Sequence, residues 1–299
     1  MFETLIGQEK IKNKLSFYTK VKKSGGITPP IMFNGAKGLG KTEFAKQFSR
    51  GIGRPILEIN CGTIRNAAQF FEQVFLTVIQ DKEIAILFDE CHALPKDLEE
   101  VFLTAFNTEG AKTKEVSIGD GFATFDFTQQ TFLFATTEMH KIFEPLKDRM
   151  TVVDFVPYQK YELAGIIKNK FDWVNYESGL LDEIAGTVRG NARSAVKRAL
   201  EIKAYCNIKN TSNMTFKRWE DLKVTLDIRP FGLSNIEVEI LKTLKEHGEC
   251  SLQMLSAITG MSRSALQKDA ENNLLRCGFL KIDGKRHITS KGQKILETL

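Results

Sequence analysis

Along the first half of the chain the hydrophobic and polar positions keep changing period. Apolar runs of strand length lie at Ile31–Asn34, Pro55–Asn60, Ile84–Phe88, Thr131–Ala135 and Thr151–Phe155. Between them the pattern turns helical, most clearly at Lys41–Arg50 and Thr63–Gln80. Such alternation predicts an α/β fold with a mostly parallel sheet and helices on both faces. Gly121–Phe127 alternates apolar and polar residues behind Gly119-Asp-Gly121, which predicts a hairpin beside the main sheet that exposes Phe122, Phe125 and Phe127.

After Pro157 the strand pattern fades, and Tyr158–Asp227 reads as a small helical bundle. Arg229-Pro-Phe-Gly232 breaks the periodicity and opens a linker. Beyond it, Ser234-Asn-Ile-Glu237 is a capping box ahead of an apolar series. Helices are expected at Leu252–Thr259 and Ser262–Cys277, then strands Phe279–Ile282 and Arg286–Thr289 around an Asp283-Gly284 turn. Three helices and a hairpin are the layout of a winged helix-turn-helix. The expected domains are therefore 1–156, 157–229 and 230–299.

Composition narrows the class. With 26% charged residues and a net charge of +5, the chain reads as an ordinary globular protein with a mild basic excess. Such an excess permits a nucleic-acid partner without requiring one. The basic residues gather late, eight Lys/Arg against four Asp/Glu from Gly260 onward. No run approaches the ~18–20 apolar residues that span a bilayer, and the opening residues carry no secretory pattern. The five cysteines are scattered and never spaced Cys-x-x-Cys, which predicts reduced thiols, a cytoplasmic setting and no zinc site.

The strongest chemical signal is Gly35-Ala-Lys-Gly-Leu-Gly40-Lys41-Thr42, between a predicted strand and a predicted helix. Gly35, Gly38 and Gly40 let backbone N–H groups turn toward phosphates, and the helix N-terminus adds partial positive charge. Lys41 is expected to reach the β- and γ-phosphates of ATP, and the Thr42 hydroxyl to ligate Mg²⁺. Ile84–Phe88 ends in Asp89-Glu90, which places two carboxylates at the carboxyl edge of a parallel sheet. Asp89 would hold the Mg²⁺ shell, and Glu90 would act as base toward the attacking water.

These elements resemble the AAA+ ATPases, and among them the RuvB-type Holliday-junction branch-migration motors. Phe2–Gln8, with Ile6 in its middle, is similar to the family's adenine-side opening segment. Gly38–Thr42 and Asp89–Leu94 resemble its Walker elements, and Ala135-Thr-Thr137 its sensor-1 strand end. Pro145–Arg149 resembles the arginine-finger segment, and Arg189–Arg193 the start of the sensor-2 helix. The resemblance implies an AAA+ base domain, a helical lid and a C-terminal winged helix. It further implies that Thr137 contacts the γ-phosphate or lytic water, that Arg149 serves a neighbouring subunit, and that Arg193 reads phosphate from the lid. Departures stand at Ala36-Lys37 (paired prolines in the family), Lys147 (Arg), Met150 (Phe) and Asn191-Ala192 (Thr-Pro). His92 is expected to support the site rather than to catalyse.

The resemblance also implies a homo-oligomeric ring, a hexamer, that moves branched or duplex DNA without reading sequence. Arg263 at the third helix of the winged domain, with Lys285 and Arg286 at the wing, are the candidate DNA contacts. The 121–127 hairpin is the candidate grip for a junction-binding protein. Two other readings use the same residues: a loader or remodeller of a replication protein, and a nucleotide-gated regulator fixed to one DNA site.

Overall fold

The computed structural model describes residues 2–107, 113–118 and 121–299. It divides into two compact units, one of residues 1–158 with 191–193 and one of residues 159–190 with 194–299.

The first unit begins with helix α1 (Glu9–Lys23) and strand β1 (Ile31–Asn34), followed by α2 (Lys41–Gly51) and β2 (Ile56–Asn60). Next come α3 (Ala67–Phe70), which runs on as a π-helical stretch Phe71–Ile79, then β3 (Ala85–Asp89) and α4 (Lys96–Ala105). The helix expected from Thr63 starts later because the Asn66 side chain caps it, accepting from the Gln69 N–H at 2.8 Å. A hairpin, β4 (Thr113–Ile118) with β5 (Gly121–Asp126), precedes β6 (Thr131–Thr136), α5 (Glu144–Asp148) and β7 (Thr151–Asp154).

Five strands form a wholly parallel sheet in the order β2-β3-β6-β1-β7. Strand β6 is buried along its whole length, and β3 along all but its last residue. That explains their unbroken apolar runs, since a central parallel strand is covered on both faces. Phe88, Phe102, Phe106, Phe132 and Phe134 pack edge-on or stacked around β3 and β6. Aromatic pairs of this kind add about 0.5–1.5 kcal/mol beyond area burial. The order also places the end of β6 between the ends of β1 and β3, where the predicted phosphate loop and acidic pair emerge.

The hairpin forms outside the sheet as expected, while its turn, 119–120, lies outside the described residues. The expected exposure of its aromatics is corrected. Phe122 is exposed, but Phe125 and Phe127 are buried against Phe71, Phe75 and Phe132. Side chains on a strand alternate faces, so residue 122 lies opposite 125 and 127.

The second unit opens with α6 (Lys160–Lys170), β8 (Asn175–Tyr176), α7 (Leu180–Ala185), α8 (Ala192–Ile208), β9 (Asn213–Met214) and α9 (Phe216–Leu226). Strands β8 and β9 pair in parallel over two residues each, a ladder too short for hydropathy to announce. The chain continues through α10 (Asn235–His247), α11 (Leu252–Thr259), α12 (Arg263–Ala265), a π-helical stretch Leu266–Glu271 and α13 (Asn272–Arg276). Strands β10 (Leu280–Asp283) and β11 (Lys285–Ile288) form the wing, and α14 (Ser290–Glu297) closes the fold. The capping box forms as read: the Ser234 N–H donates to Glu237 Oε2 at 2.6 Å, and the Glu237 N–H donates to Ser234 Oγ at 3.3 Å.

Glu237 is fully buried, and the Arg189 guanidinium donates to its Oε2 at 2.6 Å and to the Gly232 carbonyl at 2.9 Å. The wing turn is one residue tighter than expected, with Asp283 opposite Lys285 and Gly284 alone between them at φ 69°. Register is pinned from the other side, where Arg286 and Cys250 exchange backbone hydrogen bonds of 2.8 and 3.0 Å.

Candidate functional site

Strand β1 ends where the chain enters three left-handed or glycine-only conformations, at Gly35 (φ 151°), Gly38 (83°) and Gly40 (95°). Gly38 has a second constraint: a Cβ there would stand 2.9 Å from Asn191 Oδ1 and 3.1 Å from Arg193 Cβ. Helix α2 begins at Lys41 with Gly40 as its N-cap and no side-chain cap, so its first N–H groups face the loop. That is an anion site by construction.

Lys41 is buried, and its ammonium donates to the Gly35 and Ala36 carbonyls at 2.6 and 3.2 Å. Burial pulls its pKa below the ordinary lysine value, while Glu90 and Asp89 oppose that shift. A phosphate would give this charge a partner. Thr42, half-buried, occupies the next position of the helix.

Asp89 ends β3, and Glu90 turns the chain with φ 52°, an uncommon conformation for a side chain of its size. The turn leads into a short 3₁₀ segment, Cys91–Ala93, that carries His92. Thr137, just past β6, donates to Glu90 Oε2 at 3.3 Å. At the same carboxylate oxygen, His92 Nδ1 stands 3.5 Å from Glu90 Oε2, and it lies 3.1 Å from Thr136 Oγ1. His92 Nε2 lies 3.1 Å from Glu138 Oε2, and Glu138 is also held by Lys141 at 2.9 Å. Glu138 escaped the sequence reading, and Thr136 entered it only as part of the Ala135-Thr-Thr137 strand end, with no role of its own.

The opening segment packs beside α2. Phe2 stacks on Phe44 at 6.0 Å, and Ile6 is half-buried. The Gln8 amide trades two hydrogen bonds with the Val156 backbone, at 2.6 and 3.3 Å. Arg193 returns to the loop from the other end of the unit, its N–H donating to the Gly38 carbonyl at 3.1 Å.

Arg149 is placed elsewhere. It caps α5 two residues before β7, whose Thr151 pairs with Ile31 at the start of β1. Its guanidinium is exposed, donates to the Pro145 carbonyl at 2.8 Å, and borders a cavity with Pro29, Pro30 and Gln130. This is the amino edge of the sheet. The four residues of β1 separate it from the phosphate loop by about 13 Å at ~3.3 Å per residue.

The family model for the Holliday junction DNA helicase RuvB P-loop domain matches residues 1–156. The chain belongs to the RuvB family. A second model, the RuvB C-terminal winged helix domain, matches residues 230–297. The Holliday junction branch migration complex subunit RuvB of Fusobacterium nucleatum is 28% identical over 97% of this chain and 89% of its own length. The subunit of the same name from the Wolbachia of Brugia malayi is 26% identical over 96% and 89%. Two variants of Thermotoga maritima RuvB match with TM-scores of 0.77 and 0.78, each at 26% identity over 98% of this chain, and cover 95% and 96% of their own. The AAA+ reading of the sequence thus holds for fold and for family.

Within this RuvB-type chain the winged domain departs from the sequence reading at its tip. Arg263 is exposed at the start of α12. Lys285 is exposed but ion-paired with Glu249. Arg286 does not face solvent. Its guanidinium lies buried against Glu271, with Nε–Oε1 at 2.7 Å and Nη2–Oε2 at 3.2 Å. Bidentate pairing of this kind fixes both side chains, so the assignment of Arg286 to DNA is corrected to a structural one. Among the described residues no helix is long and apolar enough to cross a membrane.

Proposed function

We propose that this chain is the ATP-hydrolysing subunit of a ring that drives branch migration of DNA. The observation that carries the proposal is the convergence of Lys41, Asp89, Glu90 and Thr137 at one sheet edge, in a chain of the RuvB family. Gly35, Gly38, Gly40 and Lys41 bind the phosphates, Ile6 lies on the adenine side, and Arg193 answers to the terminal phosphate. Glu90 orients and deprotonates the attacking water, and Thr137 contacts that water or the γ-phosphate.

Thr42 and Asp89 offer a hydroxyl and a carboxylate, hard oxygen donors that suit Mg²⁺. When bound, that ion neutralises phosphate charge; these two residues would hold it.

Arg149 acts in trans. The sheet keeps it about 13 Å from the phosphate loop of its own subunit, so only a neighbour can present its nucleotide to that guanidinium. That supports a closed ring, which we take to be a hexamer in the cytoplasm. The working parts are the 1–156 base domain, the 157–229 lid and the 230–299 winged domain. Arg263 and Lys285 contact DNA phosphates, and Phe122 on the hairpin meets a junction-binding protein. The loader reading has no observation in its favour.

ATP turnover with and without four-way-junction DNA tests the proposal, beside Glu90→Gln and Arg149→Ala. We expect junction DNA to raise turnover and both substitutions to abolish it. Arginine fingers are worth about 10³–10⁵ in rate. Turnover indifferent to junction and duplex DNA, or a fully active Arg149→Ala, overturns it.

A further inference from the structure

We infer that His92 is a positioning residue for hydrolysis, taking over the Glu90 carboxylate when Thr137 turns to the nucleotide. The inference rests on the roles proposed above for Glu90 and Thr137. Among the described residues, two side chains hold the Glu90 carboxylate: the Thr137 hydroxyl at 3.3 Å and the His92 ring at 3.5 Å. Both contacts are longer than a good hydrogen bond. A hydroxyl has one proton to donate. Once Thr137 spends it on the γ-phosphate or the lytic water, the contact that remains to Glu90 is His92.

The ring is built to be held still. It is mostly buried, and three groups address its two nitrogens. Thr136, fully buried, accepts from the Glu138 N–H at 3.0 Å and stands 3.1 Å from Nδ1, so its oxygen fixes where that nitrogen lies. Across the ring, Nε2 meets Glu138 at 3.1 Å. Lys141 beside Glu138 keeps that carboxyl below its ordinary value, so it remains an acceptor for an Nε2 proton. The 3₁₀ turn that Glu90 caps with its left-handed backbone is the turn that carries His92, so the two side chains stem from one short turn. The two ring nitrogens thus face two different carboxylates, Glu138 at Nε2 and Glu90 at Nδ1.

The two amide replacements separate the nitrogens. The Asn amide reaches the position of Nδ1 and the Gln amide that of Nε2. His92→Asn therefore keeps the hand on Glu90, and His92→Gln keeps the hand on Glu138. In steady-state ATP turnover with junction DNA we expect His92→Ala to lose about 10–100-fold in kcat, the range seen when the partner orienting a functional side chain is removed. KM and the affinity for a fluorescent ADP analogue should stay within about two-fold of wild type, and thermal melting should be unchanged. His92→Asn should recover most of the loss, and His92→Gln little of it.

His92→Ala within two-fold of wild type overturns the inference. So does equal rescue by Asn and Gln, or a loss matched by weaker nucleotide binding or a lower melting temperature, either of which assigns the ring a structural task. Glu90→Gln is measured beside them. If that variant stays active, it is the assignment of Glu90 that fails, independently of His92.

Discussion

The nucleotide site and the wing tip were both read from the sequence as clusters of functional charge, and the fold treats them differently. At the carboxyl edge of the sheet, Lys41 is held by backbone carbonyls, and Glu90 is held loosely by Thr137 and His92. Among the described residues no carboxylate bonds Lys41 directly, so its charge remains for a ligand. At the wing, Lys285 and Arg286 are each paired with a carboxylate, Glu249 and Glu271. A phosphate loop is made of backbone, which its own glycines dictate. A wing's charges depend on partners 15 and 36 residues away, which no local pattern shows.

The largest effect that sharpens this contrast is on turnover. Lys41→Ala and Glu90→Gln should each lower ATP hydrolysis by at least about 10²–10⁴-fold, while Lys285→Ala leaves DNA-free hydrolysis unchanged. Next comes a mixing experiment. Arg149→Ala keeps an intact loop but lacks a finger, and Glu90→Gln keeps the finger but lacks a base. Mixed rings should recover a fraction of wild-type turnover that neither variant shows alone; no recovery would return Arg149 to its own subunit.

Stability separates the two kinds of charge at the wing. Arg286→Ala strands a buried Glu271 and should cost about 3–5 kcal/mol in urea unfolding. Replacing both partners by apolar residues should be close to neutral, and Lys285→Ala should cost under about 1 kcal/mol. In junction binding, Lys285→Ala should reduce the salt slope by about one without changing sequence preference. The hairpin divides in the same way: Phe125→Ala should cost about 3–5 kcal/mol and Phe122→Ala less than about 0.5 kcal/mol.

The smallest effect lies under the Glu90 turn. Burial pushes the Cys91 thiol from 9.0 up to about 12, and raises Cys61 as well. The unfolded chain gives up these protons near pH 9, whereas the folded one keeps them. The associated stability is whole below that pH and declines as pH rises toward 12. Urea midpoints measured from pH 8 to 10 should fall, and less steeply in the Cys61→Ala/Cys91→Ala variant.

What was legible follows the same physics. The strands and the start of α2 were readable because a central parallel strand is uniformly apolar and a phosphate loop needs glycine at fixed places. The strand order, with β6 between β1 and β3, was not readable, since it comes from crossovers rather than from any one segment. His92 could be singled out by its position after Asp89-Glu90, but its partners Thr136 and Glu138 lie 44 and 46 residues on and became visible only once β6 sat beside β3. Phe125 and Phe127 were misread because the alternation was counted without fixing which parity faces the core. Arg286 was misread because a basic residue at a turn looks the same whether its carboxylate partner is present or not.

The four-residue length of β1 has a consequence at the scale of the cell. If Arg149 serves a neighbour, each subunit owns two halves of different engines, and no rearrangement within one chain can join them. Idle subunits at low concentration would then waste almost no ATP. Turnover would climb more steeply than in proportion to protein concentration, so that assembly itself is the ignition.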